Sequence, residues 1–417
     1  MKTNSDSFDF VVVGAGIVGL TIARELARRK AGRILVLEKE RHVGAHASGR
    51  NSGVVHAGIY YSADSLKAQF CVRGHKLLLD YVETHQLPVL KCGKVIVATK
   101  PETVSGLDIL WGRAQANGVV VKRLSLEELR EIEPSAHSHG WAIWSPHTAV
   151  VDSKAVLHRL TQEIQECGVH IQYDQEVRTI DPQHRRLRTS TQTFDYGFLI
   201  NAAGVYADRI AHQFGVGLHY RVLPFKGLYW KADPSFTARV RGLIYPVPDV
   251  NMPFLGIHIT KTVQNEVLFG PTAIPAFGRE NYSLAGGLDL IESPIIAAHL
   301  MRMLLHNSNN IRRYVREEVS RYAPARFLAE IQRLAPEVER THVGGFYKVG
   351  IRPQLMDLRQ RKLEMDFVIE DGRDSLHVLN AISPAFTCAL AFAPYVTDRI
   401  QAAKPESSSR HVAPSPS

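Results

Sequence analysis

Cysteine is scarce in this chain. Four residues, Cys71, Cys92, Cys167 and Cys388, stand far apart among 417. None forms a Cys-x-x-Cys pair, so neither a zinc knuckle nor a disulfide framework is suggested, and a reducing compartment is expected. Long hydrophobic runs are missing too. The best candidate, Ala385–Val396, is short and carries Thr387 and Pro394, whereas a membrane span needs about 20 apolar residues. The opening MKTNSDS runs straight into an apolar segment, so neither a signal peptide nor a long transit peptide is expected. There is no internal repeat. Clusters of like charge, Arg185–Arg188 and Arg312–Arg316, are short. No nucleic-acid motif accompanies them, so nucleic acid is not an expected partner. No constellation of metal ligands appears, so no metal is expected.

What is present is ordinary globular material: 45% hydrophobic and 22% charged residues, enough for two or three domains with a sizeable core. The net charge of +9 suits a solvated surface first, and beyond that acidic substrates or an anionic membrane surface.

The most informative stretch is Phe8–Glu38, FDFVVVGAGIVGLTIARELARRKAGRILVLEKE to Glu40. An apolar run, Phe10–Val13, leads into Gly14, Gly16 and Gly19. A helical pattern over Ile17–Arg29 follows, then a second apolar run, Ile34–Leu37, ending at Glu38. This is a strand–turn–helix–strand unit. Gly14 serves the tight turn, Gly16 lets a pyrophosphate approach the main chain, and Gly19 lets helix and strand pack closely. The helix N-terminus supplies free N–H groups and a positive dipole end. Glu38 is placed to accept both ribose hydroxyls, which favours an adenosine with a free 2′-OH. A dinucleotide is expected here, and the unit alone does not separate FAD from NAD.

Down the chain, helices are expected at Ser65–Tyr81, Pro101–Asn117, Leu126–Ile132 behind a Ser125/Glu128 capping box, and Ser153–Glu166. Strands are expected at Gly93–Thr99, Val119–Lys122, Gly140–Trp144, Val169–Tyr173, Val177–Ile180, Leu187–Thr189 and Thr193–Leu199. Arg221–Lys231, Leu243–Pro246, Phe254–Thr260 and Val267–Gly270 read as a second, mainly antiparallel sheet. Long helices follow at Leu288–Leu305 and Glu317–Leu334. Strands then come at Gly344–Leu355, Phe367–Ile369 and Leu376–Val378, with a last helix within Ile382–Ile400. Strand ends in small residues recur near 201–204 and 380–385. The nucleotide domain is therefore expected to be discontinuous, over 1–90, 146–220 and 340–402, with a substrate domain over 91–145 and 221–339 and a disordered tail over 403–417.

The strings SGRNSGVVHAGIYY, SLKAQFCVRG, CGKVIVAT, SPHTAVVD, NAAGVYADRI, YPVPDVNMPFLGIHIT and NAISPAF match one family along residues 8–402. The chain resembles the L-2-hydroxyglutarate dehydrogenase/oxidase family of FAD-dependent enzymes, in the superfamily of glutathione-reductase-like folds that includes D-amino-acid oxidase. The resemblance implies an α/β fold with a Rossmann FAD-binding domain and an inserted antiparallel substrate sheet. It implies oxidation of L-2-hydroxyglutarate to 2-oxoglutarate, with FAD taking the hydride and electrons passing to a quinone-linked chain or oxygen. Relatives are commonly peripheral to membranes, so the expected location is cytoplasmic or on the inner face of a membrane. Rival readings are an FAD enzyme of another 2-hydroxy acid, an amino acid or glycerol 3-phosphate, a flavin-binding electron-transfer protein, or an NAD-dependent dehydrogenase.

Oxidising a hydroxy acid requires a base, a hydride acceptor about 3–3.5 Å from the carbon, and fixed partners for the carboxylates. His258 is favoured as the base, with His56 orienting near the flavin; either imidazole suits proton removal. Arg352, in Gly-Ile-Arg-Pro, suits a carboxylate bidentately. Lys226 is a second cation, and Tyr60, Tyr61 and Tyr245 are candidate hydroxyl donors. For FAD, Gly14, Gly16, Gly19 and Glu38 are joined by Ser48, Asn51, Ser52 and Gly53, by Val177 through its main chain, by Ala203 and Gly204, and by Ser383, Pro384 and Ala385 before the last helix. Three places depart from the family pattern: Lys226 where Arg is commoner, Lys348-Val349 before Gly350, and Phe386 and Cys388 where small residues are usual. These changes could reshape the substrate pocket.

Overall fold

The computed structural model describes residues 7–249, 254–283 and 286–403. The opening strand, Ser7–Val13, is the centre of an eight-stranded sheet. It pairs in parallel with Ile34–Leu37 on one side and Thr193–Asn201 on the other. His170–Gln172 extends the parallel order beyond Ile34–Leu37, and Ser375–Asn380 pairs in parallel with Thr193–Asn201. A parallel sheet of this kind is covered on both faces, which explains the unbroken apolar runs in its strands. Phe10 and Val12 enter the core beneath Ile17–Arg28, Leu66–Thr84, Ser153–Glu166 and Ala385–Ala403. Val11 and Val13 enter a smaller core on the other face with Phe194, Leu199 and Ile210. Fully burying each such side chain contributes roughly 1.5–3 kcal/mol.

A ten-stranded sheet carries the second core. Its backbone is the antiparallel pairing of Tyr220–Ala232 with Val343–Asp357, in which Phe225 faces Arg352 and Lys226 faces Ile351. Gly270 pairs with His258, and Tyr245 lies beside Ile96 in the one parallel step, Lys94–Val97 with Leu243–Pro246. The mixed α/β fold with a nucleotide-binding sheet and a mainly antiparallel second sheet is as expected. Val343–Asp357 belongs by pairing to the second sheet, although it falls in the stretch 340–402 expected to be nucleotide domain.

Several local expectations shift. The expected helix Glu317–Leu334 is two helices, Ile311–Ser320 and Pro324–Leu334. Pro324 lacks the N–H that a continuous helix needs and is at home in a first turn. The expected strand Val119–Lys122 is instead Lys122–Leu124. Val119 N–H is taken by Ala114 O, and Gly118 at φ +65° closes the preceding helix. The strand containing His258 begins at that residue, His258–Lys261, rather than at Phe254. The tail from 404, like residues 250–253 of the quoted family string, lies outside the described residues, and Ala403 still belongs to the last helix.

Candidate active site

The glycine turn is built as the spacing requires. Gly14 has φ +104°, and a Cβ there would meet Ala202 O at 2.6 Å. A Cβ on Gly19 would lie 1.9 Å from Gly14 O, so only glycine lets the helix lean on the turn. The first helical N–H, Ile17, donates to Ser48 Oγ at 3.0 Å. Glu38 is held by the chain's own amides: Ala15 N–H donates to one carboxylate oxygen at 2.9 Å and Glu40 N–H to the other at 3.0 Å. Lone pairs remain on both oxygens for ribose hydroxyls.

A cavity of about 1100 Å³ runs from this turn to the second sheet. It is lined by Gly14, Gly16, Glu38, Ser48, Asn51, Ser52, Val177, Ala203, Gly204, Ser383, Pro384 and Ala385, and by His56, Tyr60, Tyr61, Tyr245, His258 and Arg352. Gly19 and Gly53 stand behind the wall. Gly53 has φ +75°, and a Cβ there would meet Val151 O at 2.3 Å, so its role is close packing.

Lys226 goes elsewhere. Side chains alternate along a strand, and directly opposed residues share a face. Phe225 opposes Arg352, so Lys226 leaves the opposite face. Its ammonium donates to Asn281 Oδ1 at 2.8 Å and Ser283 O at 3.0 Å. The loop it grips crosses to the nucleotide end, where Glu280 pairs with Lys39 and Tyr282 hydrogen-bonds His46 at 2.7 Å. Arg279, buried between Asp208 and Glu292, pins the same loop. Glu40, His46 and Glu280 bring three potential metal ligands together, but the Lys39 ammonium already bridges the two carboxylates.

His258 is 5% exposed, and its ring stacks on Tyr245 at 3.9 Å. Nδ1 lies 3.1 Å from Gly256 O. A carbonyl oxygen only accepts, so Nδ1 carries the proton and Nε2 keeps the lone pair. Burial, reinforced by the Arg352 and Lys94 cations, pushes the His258 pKa from 6.5 down to about 3. His56 is pushed well below the usual imidazole value by burial, then by Lys94, His258, His75 and Arg352. Its backbone N–H donates to Thr387 Oγ1 at 3.1 Å. His56 Nδ1 and the Tyr60 hydroxyl are buried without a hydrogen-bond partner among the described residues. Their residues line the cavity that also holds the glycine turn, and unpaired polar atoms beside a large cavity fit a bound flavin and substrate. Arg352 sits 5.6 Å from the Phe254 ring centroid with no carboxylate paired to it among the described residues.

Residue-by-residue reading of the sequence missed Lys94, Lys67 and Thr387. Lys94 had a usable signal: a lysine inside the apolar run of CGKVIVAT. Lys67 is buried on the cavity wall, and burial lowers its pKa to about 8.

A Rossmann-type sheet with a glycine turn, joined through one cavity to a mainly antiparallel sheet bearing His258 and Arg352, fits a flavin oxidoreductase. The chain belongs to the DAO family, FAD dependent oxidoreductase, whose match spans residues 9–399. It is an FAD-dependent oxidoreductase. Relatives similar over nearly the whole chain include L-2-hydroxyglutarate dehydrogenases. The mitochondrial protein of Caenorhabditis elegans is 36% identical, over 94% of this chain and 92% of its own length. That of Homo sapiens is 34% identical over 96% and 90%, and that of Escherichia coli K12 is 32% identical over 94% and 93%. Among solved structures, L-alpha-glycerophosphate oxidase of Mycoplasma pneumoniae with FAD bound has a TM-score of 0.74 at 20% identity, covering 95% of each chain. L-proline dehydrogenase of P. horikoshii has a TM-score of 0.71 at 17% identity, covering 96% of this chain and 95% of its own. These two likenesses concern the fold.

Proposed function

We propose that the enzyme oxidises L-2-hydroxyglutarate to 2-oxoglutarate. The observation that carries this reading is the similarity, over nearly the whole chain, to relatives named for that substrate. The site is chemically suited to it. The charges that lower the His258 pKa are the cations Arg352 and Lys94, and those that lower His56 are cations and other imidazoles. Arg352 holds a substrate carboxylate through its guanidinium fork. His258 Nε2 takes the hydroxyl proton. A dianion beside it favours the imidazolium and raises its pKa back toward the range useful to a base. Tyr245, stacked on the ring, fixes its plane, and His56 and Tyr60 offer hydrogen bonds to the substrate. Gly14, Gly16, Ser48, Glu38 and the start of Ala385–Ala403 hold the FAD, which supplies a hydride acceptor when bound.

Electrons leave to a quinone-linked chain or oxygen, with the protein on an anionic membrane surface. Among the described residues no helix is long and apolar enough to cross a membrane. A surface contact is supported by the helix Glu292–His306 and the two residues before it, which turn apolar side chains outward. Leu290 is 91% exposed, Ile291 79%, Met301 56% and Leu305 66%. Exposed Arg302, Arg312 and Arg316 flank them, the pattern of an amphipathic surface anchor.

A substrate panel tests the assignment: steady-state turnover with a dye acceptor on L-2-hydroxyglutarate, glycerol 3-phosphate, glycine and L-proline. L-2-hydroxyglutarate is expected to give the highest kcat/KM. A higher value for any other compound overturns the reading.

A further inference from the structure

Lys94 is 1% exposed, in the strand Lys94–Val97 at the back of the cavity wall. No carboxylate pairs with it among the described residues. Its Nζ lies 4.5 Å from the Tyr60 ring centroid and 5.1 Å from that of Tyr245. Both tyrosines line the cavity, and Tyr245 also stacks on the His258 ring. A buried ammonium without a counter-charge is costly, and burial brings its pKa from 10.5 to about 7. A leucine or methionine would fill the same strand position without that cost. The charged and titratable groups around it are His56, His75, His258, Tyr60, Tyr245 and Cys71. None is a carboxylate, so a negative charge that enters the cavity favours the ammonium form.

We propose that Lys94 is a positioning residue whose ammonium, acting through the Tyr60 and Tyr245 rings, adds to Arg352 the positive field by which the cavity prefers a doubly charged dicarboxylate over a monocarboxylate. Arg352 can grip one carboxylate directly, and Lys94 sets the potential felt by both. The inference rests on the proposed dicarboxylate substrate. It adds that discrimination between dianion and monoanion is electrostatic at long range, and that it fades as pH rises through the titration of the Lys94 ammonium.

The test uses FAD-loaded wild type, Lys94→Met and Lys94→Arg. Binding of glutarate and of butyrate is read from perturbation of the flavin's visible spectrum at pH 6.5 and pH 9. At pH 6.5, Lys94→Met is expected to weaken glutarate about 10-fold, equivalent to about 1.4 kcal/mol, and butyrate about 3-fold or less. Lys94→Arg retains the preference. The glutarate preference falls between pH 6.5 and 9 more steeply in wild type than in Lys94→Met, where Lys67 of the cavity wall still titrates. Equal loss for both ligands, or an unchanged glutarate affinity, overturns the proposal. Should Lys94→Met fail to hold FAD, the wild-type pH arm decides: a preference independent of pH refutes it. A wild type that binds glutarate with this pH dependence yet does not oxidise L-2-hydroxyglutarate sinks the substrate assignment and leaves the role of Lys94 standing.

Discussion

Replacing His258 by glutamine should make the protein lose less stability in mild acid. The ring is 5% exposed, and burial, with Arg352 and Lys94 nearby, takes its pKa from 6.5 to about 3. Between those values the unfolded chain binds a proton that the folded chain refuses. The stabilisation is therefore complete above about pH 6.5 and is lost as pH falls toward 3. Each pH unit inside that window removes about 1.4 kcal/mol. From pH 7 to pH 5 this one imidazole therefore costs about 2 kcal/mol. The glutamine side chain keeps an N–H that can reach Gly256 O and does not titrate. His75 and His377 are lowered in the same direction and contribute equally to both proteins, and His56, which His258 itself helps to lower, contributes slightly less in the variant. The assay is urea unfolding of FAD-saturated wild type and His258→Gln at pH 7 and pH 5. Wild type should lose about 2 kcal/mol more than the variant. An identical loss in both would show that the imidazole is not held neutral, and would remove the basis for treating it as a proton acceptor in the resting enzyme.

Gly19→Ala places a Cβ at 1.9 Å from Gly14 O, well inside contact distance. The helix must move by over about 1 Å, the kind of overpacking that costs roughly 1–3 kcal/mol. FAD affinity should drop at least 10-fold in a flavin-release titration, and an unchanged affinity would contradict the cradle. Arg352→Lys preserves charge but loses the fork, so KM for L-2-hydroxyglutarate should rise about 10-fold or more, with a smaller change in kcat. The protein should float with vesicles containing anionic lipid and release at high salt. Leu290→Ser combined with Ile291→Ser should abolish flotation without altering turnover with a dye acceptor.

The nucleotide unit was legible because its requirements are local. Gly14, Gly16, Gly19 and Glu38 act within one turn and the strand beside it, so spacing alone predicts their chemistry. His56, His258 and Arg352 were legible only through the strings that surround them, and the structure does bring all three to one cavity. Strand register was not legible. A side chain's face depends on which residue it opposes, and the pairing of Phe225 with Arg352 joins segments more than a hundred residues apart. That pairing sends Lys226 away from Arg352, a separation no local pattern reveals. Lys94 was hidden for a related reason, since its meaning comes from Tyr60 and Tyr245, which other segments supply. The break at Pro324 was a local signal overridden by an apolar period that continues across it.

The central claim is that this cavity passes a hydride from the L enantiomer of 2-hydroxyglutarate to FAD. Anaerobic mixing of the FAD-loaded enzyme with each enantiomer tests it most directly, with the flavin's visible absorbance as the readout. The account predicts rapid bleaching by L-2-hydroxyglutarate, with 2-oxoglutarate formed in equal amount to the flavin reduced, and none on that timescale by the D form. An oxidised spectrum that persists with the L form, while another hydroxy acid or an amine bleaches it, would contradict the account.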